Sequence, residues 1–431
     1  MPSSPNTVLT AQEAVSPIAD GEFIWCHSMG ATPYALLEGL VAHARGKHDI
    51  QLMQLHTEHS EMLTQPDLQG HLRNRCFFVS GCTRRTVNEG RDDFVPIFLS
   101  EIPKLFRRGE QRVDTALIQV SPPDAHGNCS LGISVEATRA AVEVADKVIA
   151  QINPRMPRVH GESFIHYTRF DRILEADTPL PEVFSHEPGE VERKIGEHVA
   201  SLIHDGDCLQ MGIGDIPNAV LGYLTHHRDL GIHTEMFSDG LIDLYNAGAI
   251  TNTRKRKYPG RIVATFVLGS RRLYEFVDDN PDVVLLDTEY VNDTQIIRQN
   301  NNVVAINSAL QVDVTGQVCA DSIGPHIYSG VGGQVDFIRG AALSEGGRGI
   351  IAMPATAVHG TVSRITAMLT PGAGVVTTRA HAQYVITEYG IANLRGKSLK
   401  ERARELIAIA APQFREELAR DVRDLWGYSV M

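Results

Sequence analysis

Two glutamates in this chain stand in the same three-residue word. His233-Thr234-Glu235 runs on into Met236-Phe237-Ser238-Asp239-Gly240, so that carboxylate has apolar neighbours and precedes a turn at which a strand can deliver a side chain into a crevice. Withdrawing water from a carboxylate makes it a better nucleophile or base. His56-Thr57-Glu58 repeats the word, but its sequel, His59-Ser60-Glu61-Met62, has no Ser-Asp-Gly turn. A lone glutamate in a loop is commonly a solvated or capping residue, so residue chemistry alone leaves the catalytic and structural readings open. Glu235 is the stronger candidate of the two.

Two glycine turns could serve such a carboxylate. Gly212-Ile213-Gly214-Asp215-Ile216-Pro217 and Gly330-Val331-Gly332-Gly333-Gln334-Val335-Asp336-Phe337 both have the form strand, glycines, helix. Without side chains the main chain exposes N–H groups to an anion, and the following helix end favours negative charge. Each could equally be a tight connection. The first is no dinucleotide fingerprint, because Pro217 stands where the third glycine of GxGxxG belongs.

The elements that must position these residues read as strands alternating with helices, the pattern of largely parallel sheets covered on both faces. Cys208-Leu209-Gln210-Met211 is a short apolar strand, and Pro217 suits the first turn of the helix that follows. Ala116 to Val120, Val283 to Leu286, Val303 to Ile306 and Gly349 to Met353 are further strands. From Lys397 onward the chain is charged and helix-favouring, with Leu399, Ala403, Leu406, Ile407 and Ala410 forming one stripe.

The same words recur in order along the chain. Asp20-Gly21-Glu22 followed by Gly30-Ala31-Thr32-Pro33 returns as Asp205-Gly206-Asp207 followed by Gly214-Asp215-Ile216-Pro217. Gly81 with Arg84-Arg85 returns as Gly269 with Arg271-Arg272, and Asp92-Asp93 as Asp278-Asp279. This predicts two related open α/β domains, 1–185 and 186–431, divided in the proline- and acid-rich stretch from Pro179 to Glu192, with a site between them.

Composition limits the function. The 431 residues, 43% of them hydrophobic, are enough for two ordinary cores, and no apolar run reaches the ~18 residues of a spanning helix. The first twenty residues lack the basic and apolar segments of a secretion signal, so the expectation is a cytoplasmic protein that meets no membrane. Six scattered cysteines without a CxxC pair read as reduced thiols, and neither they nor the 18 histidines show metal-site spacing, so no metal is expected. A formal net charge of −12 argues against nucleic acid as a partner.

Longer words then point to a family. LQMGIGDIPNAV (209–220), HTEMFSDGLIDLYNAGAITN (233–252), SGVGGQVDFIRGA (329–341), SRI (363–365), TEYGIANLRGKS (387–398) and, in the first half, SPPDAHGNCSLG (121–132) resemble those of the acetyl-CoA hydrolase/transferase family. The resemblance runs from about Asp20 to Phe414. It implies two α/β domains of the CoA-transferase type, a catalytic glutamate at Glu235, and CoA thioesters as substrates with no permanently bound cofactor. By the same matching Gln210 helps to hold the carboxylate or acyl oxygen, Gly214 belongs to the substrate turn, and Gly332 and Gly333 offer N–H groups near the thioester. Gly30 would lie on the facing first domain.

The implied activity is CoA transfer between a short-chain acyl-CoA and a carboxylate, such as acetyl-CoA with butyrate or 4-hydroxybutyrate, by a homodimeric enzyme. The competing readings are an acyl-CoA hydrolase and a non-catalytic CoA-binding regulator. Asp215 departs from the family, whose GIGGIP word has glycine there, and would narrow the cleft or cap the helix. Glu388 reads as structural, and the basic run Arg254-Lys255-Arg256-Lys257 as a solvated loop in preference to a contact for CoA phosphates.

Overall fold

Seven parallel strands form the first sheet. In chain order they are β1 (Phe23–Cys26), β2 (Ile50–Gln54), β3 (Leu72–Cys76), β4 (Asp93–Phe94), β5 (Thr115–Val120), β6 (Lys147–Ile152) and β7 (Arg172–Glu175), and in space they run β7-β6-β5-β1-β2-β3-β4. All six residues of β5 are buried. That is why the central strands read as continuous apolar runs and not as alternation. The computed structural model describes residues 8–184, 186–212, 214–427 and 429–430. Among them no helix is long and apolar enough to cross a membrane.

The second sheet repeats this plan. Its strands are β8 (Cys208–Met211), β9 (Gly231–Ile232), β10 (Val303–Asn307), β11 (Arg348–Ala352), β12 (Tyr384–Thr387) and β13 (Gly390–Asn393), in the spatial order β9-β8-β10-β11-β12-β13. All pair in parallel except the closing hairpin of β12 with β13. In both sheets the first strand is interior, the second strand pairs on one side of it, and a later strand pairs on the other. Some of the repeated words are thus carried by corresponding strands. His56-Thr57-Glu58 follows β2 as His233-Thr234-Glu235 follows β9.

Compactness divides the chain into two units, Met1–Val183 with Val263–Val291, and Phe184–Ile262 with Asn292–Met431. The sequence suggests a single passage near residue 185. The strand read at Val283 forms, as Val283–Leu285, but it pairs in parallel with His160–Gly161 of the first unit. The second-half words at Gly269–Arg272 and Asp278–Asp279 accordingly belong to the first unit. Arg107 secures this segment by donating from its guanidinium to the Asp287 carboxylate at 2.7 Å.

Candidate active site

Reversal of strand order leaves a crevice at the carboxyl ends of the two strands that flank it, where open α/β sheets bind ligands. In the second sheet those strands are β8 and β10. Here lies a cleft of about 310 Å³ lined by Gly212, Gly214, Asp215, Asn307, Ser308 and Ala352 among others. Gly214 has φ +114, a conformation open to glycine, and opens the helix α1 (Asp215–Tyr223). Asp215 is the first residue of this helix and reaches the cleft, and Pro217 occupies its first turn. Ile213 lies outside the described residues. Gln210, at the end of β8, is 4% exposed and accepts a hydrogen bond from Asn307 Nδ2 at 2.9 Å. Its own NH2 group has no acceptor among the described residues.

Glu235 is presented by the short strand β9. Lys255 Nζ donates to the carbonyl of Ile232 within β9, and Thr234 Oγ1 donates to Met211 O at 2.9 Å, tying the segment to the end of β8. Two residues before Glu235, the His233 ring packs on fully buried Phe337, with 6.2 Å between ring centroids. Phe337 belongs to α2 (Gln334–Leu343), so this contact brings the start of that helix to the glutamate.

The carboxylate sits against that helix end. The Gly333 N–H donates to it, and Asn292 Nδ2 donates to its Oε2 at 3.1 Å. A Cβ at Gly333 would stand 1.9 Å from Glu235 Oε2 and 2.2 Å from Asn292 Nδ2, so no side chain fits there. Gly332, with φ +58, makes the left-handed turn that sets the N–H in place. Asn292 is fully buried, and the same Nδ2 lies 3.5 Å from Asp336 Oδ2. Burial pushes the Glu235 carboxyl up to about 7, against the two hydrogen bonds that favour its charged form.

Glu58 has the opposite environment. It is paired with His56 Nε2 at 2.6 Å, and that hydrogen bond holds its carboxyl below the ordinary range. Gly30 belongs to the first unit, where it follows Met29 (φ +57) at the end of β1, close to Ile133. The larger cavity of about 670 Å³ also belongs to that unit, but its Arg155, Arg158 and Arg271 are already paired with Asp177, Asp124 and Glu275. Glu388 Oε2 accepts the Ala355 N–H at 2.8 Å, a structural role.

One expectation is corrected. Lys255 is not part of a solvated loop: it is 5% exposed, its ammonium holds the carbonyls of Ile232 and Arg261 at 2.6 Å each, and burial lowers its pKa to about 8. Sequence reasoning missed Asn292 and Asn307, which hold Glu235 and Gln210. Neither stands in a glycine turn or charged word: Asn307 reaches Gln210 because its strand pairs with β8, and Asn292 reaches Glu235 from the end of the helical turn Thr288–Val291.

Comparison with known proteins identifies the family of the chain. Residues 4–183 match the acetyl-CoA hydrolase/transferase N-terminal domain, and residues 269–422 match the C-terminal domain of the same family. The 4-hydroxybutyrate coenzyme A transferase of Clostridium kluyveri is 48% identical, covering 96% of this chain and 97% of its own. The butyryl-CoA:acetate CoA-transferase of Anaerostipes caccae is 36% identical, with 97% of each chain covered. The crystal structure of RipA from Yersinia pestis superposes with a TM-score of 0.90 at 37% identity, covering 97% of each chain. The glutamate held between a helix start and a buried asparagine thus stands in a chain that belongs to the acetyl-CoA hydrolase/transferase family of enzymes.

Proposed function

We propose that the protein transfers CoA between a short-chain acyl-CoA and a carboxylate, acetyl-CoA with butyrate or 4-hydroxybutyrate, with Glu235 as covalent nucleophile. The observation that carries this reading is the burial-raised Glu235 carboxyl held by Asn292 and the Gly333 N–H. One carboxylate oxygen attacks the thioester carbonyl, the C–S bond breaks, and CoA thiolate leaves an acyl-glutamyl anhydride. The thiolate then attacks the glutamyl carbonyl, breaking the anhydride C–O bond, so the first acid departs as its carboxylate and a glutamyl-CoA thioester remains. A second carboxylate reverses both steps. No activation is lost to water, because every intermediate is an anhydride or a thioester.

Each tetrahedral step places negative charge on an oxygen, where a pre-aimed N–H is worth on the order of 3 kcal/mol. The unpaired NH2 of Gln210 and the glycines of the two turns are the donors this reading assigns. Apolar Phe237 is buried beside the nucleophile and limits water.

With acetyl-CoA alone, free CoA should appear slowly, and borohydride should convert Glu235 of the trapped enzyme to the alcohol. Adding millimolar butyrate should give rapid butyryl-CoA with parallel-line, ping-pong kinetics. Fast CoA release without an acceptor, and no new acyl-CoA across a panel of short acids, would make hydrolysis the activity instead.

A further inference from the structure

Arg364 has no counter-ion among the described residues. Its Nη1 donates only to the Ala309 carbonyl, at 3.3 Å, and its Nε is buried without an acceptor. Glu388, whose charge reaches it, forms no ion pair with it and gives one oxygen to the Ala355 N–H. Arg348 in the same unit shows the ordinary arrangement, two 2.8 Å bonds to the carboxylate of Asp207. A guanidinium keeps its charge in proteins, so leaving one half-buried and unpaired is costly unless something else supplies the anion.

The position of Arg364 relates it to the cleft. Its N–H donates to Ala355 O at 2.9 Å, and it precedes the strand Ile365–Thr366, which pairs in parallel with Gln311–Asp313. Ala309 directly follows Asn307 and Ser308 at the end of β10, and Ala355 lies three residues past Ala352 at the end of β11. All three of those cleft residues belong to the 310 Å³ site. Arg364 therefore stands at the same carboxyl end of the sheet. Two residues along, on the same strand face, Thr366 Oγ1 is also buried without a partner. A guanidinium and a hydroxyl are thus left on one strand face with acceptors still to be supplied.

We propose that Arg364, with Thr366 beside it, forms an oxyanion subsite at the edge of the cleft, taking a terminal anionic group of the substrate. Resting on the reading of CoA thioesters and acids as substrates, that group is a phosphate of CoA or the distal carboxylate of a dicarboxylic acid. The planar fork of arginine matches either one through paired N–H bonds.

The test uses the full chain and separates the two sources. Calorimetry measures binding of CoA and of pantetheine to wild type and Arg364→Gln, and exchange kinetics compare succinate with butyrate. Loss of a charge-assisted bond should cost ~10–100-fold. If phosphate is the ligand, CoA binding weakens by that factor and pantetheine binding does not change. If a carboxylate is the ligand, KM for succinate rises by that factor and KM for butyrate does not. Arg364→Lys should recover part of either loss. A variant with wild-type melting that binds CoA and uses succinate like wild type overturns the proposal.

Should Arg364→Gln not fold, phenylglyoxal labelling of wild type read by peptide mass spectrometry decides. CoA or succinate should protect Arg364, and protection by neither overturns the proposal. Binding and protection need no turnover, so an enzyme that is protected but exchanges no CoA refutes the transferase reading and leaves the subsite standing.

Discussion

The two glutamates of the repeated word differ in surroundings and not in their immediate prefix. Glu58 is held ionised by His56, whereas Glu235 is pushed by burial toward its neutral form. A nucleophile in a desolvated pocket is the more reactive, so Glu235→Ala should lose at least ~1000-fold in kcat and Glu58→Ala far less, as single-turnover assays would register. A folded Glu235→Ala enzyme with near-normal turnover would defeat the assignment. The pH profile should follow. Because only the carboxylate attacks, kcat/KM should rise tenfold per pH unit up to about 7 and then level off. Stability should run the other way: between the ordinary value of 4.5 and about 7 the folded chain holds a proton that the unfolded chain has released, so stability falls as pH rises through that window. Glu235→Gln should flatten that part of a melting-temperature profile, and a profile unchanged by the substitution would contradict the raised carboxyl.

At the scale of elements, the site is made by two helix starts and three strand ends. Gly333 is the tightest point, because an added methyl must displace either the carboxylate or Asn292. Gly333→Ala should therefore reduce kcat by ~100-fold or more while melting close to wild type, a displacement of about an ångström at a reacting group being sufficient. Equal kcat in the two proteins would show that the helix start does not position Glu235. Much of this level was legible beforehand. The strands read at Ala116, Cys208, Val303 and Gly349 form within a residue of their expected limits, because a strand buried on both faces is apolar throughout. The glycine turns were visible because glycine is required where the main chain must open. Asn292 and Asn307 were not legible, since an asparagine's partner is chosen by the tertiary fold and not by its neighbours in sequence. Lys255 was misread for a related reason: the exposed Arg254 and Arg256 on either side of it mask the one cation that turns inward to bind carbonyls.

At the scale of the whole molecule, the repeat hides an exchange of chain. Val263–Val291 carries Leu268, Leu273, Val277, Val283 and Leu285, all buried, into the unit built mainly from residues 1–183. A fragment ending at residue 185 lacks them and should not melt cooperatively, whereas the same fragment with residues 263–291 supplied should. Calorimetry of the two would decide, and a cooperative transition in the shorter fragment would show the exchanged segment to be dispensable.

That exchange also sets an order of events during synthesis. A chain emerging from the ribosome at ~5–20 residues per second ordinarily folds its first unit while the second is still being made. Here the amino-terminal unit must wait for Val291, about a hundred residues beyond Val183, and so on the order of 5–20 s. For that interval the partners of Val283–Leu285 and Phe266, namely His160–Gly161 and Ser134, remain open strand edges on a nascent protein. Chaperone occupancy should accordingly peak before residue 291 has cleared the exit tunnel and decline after it.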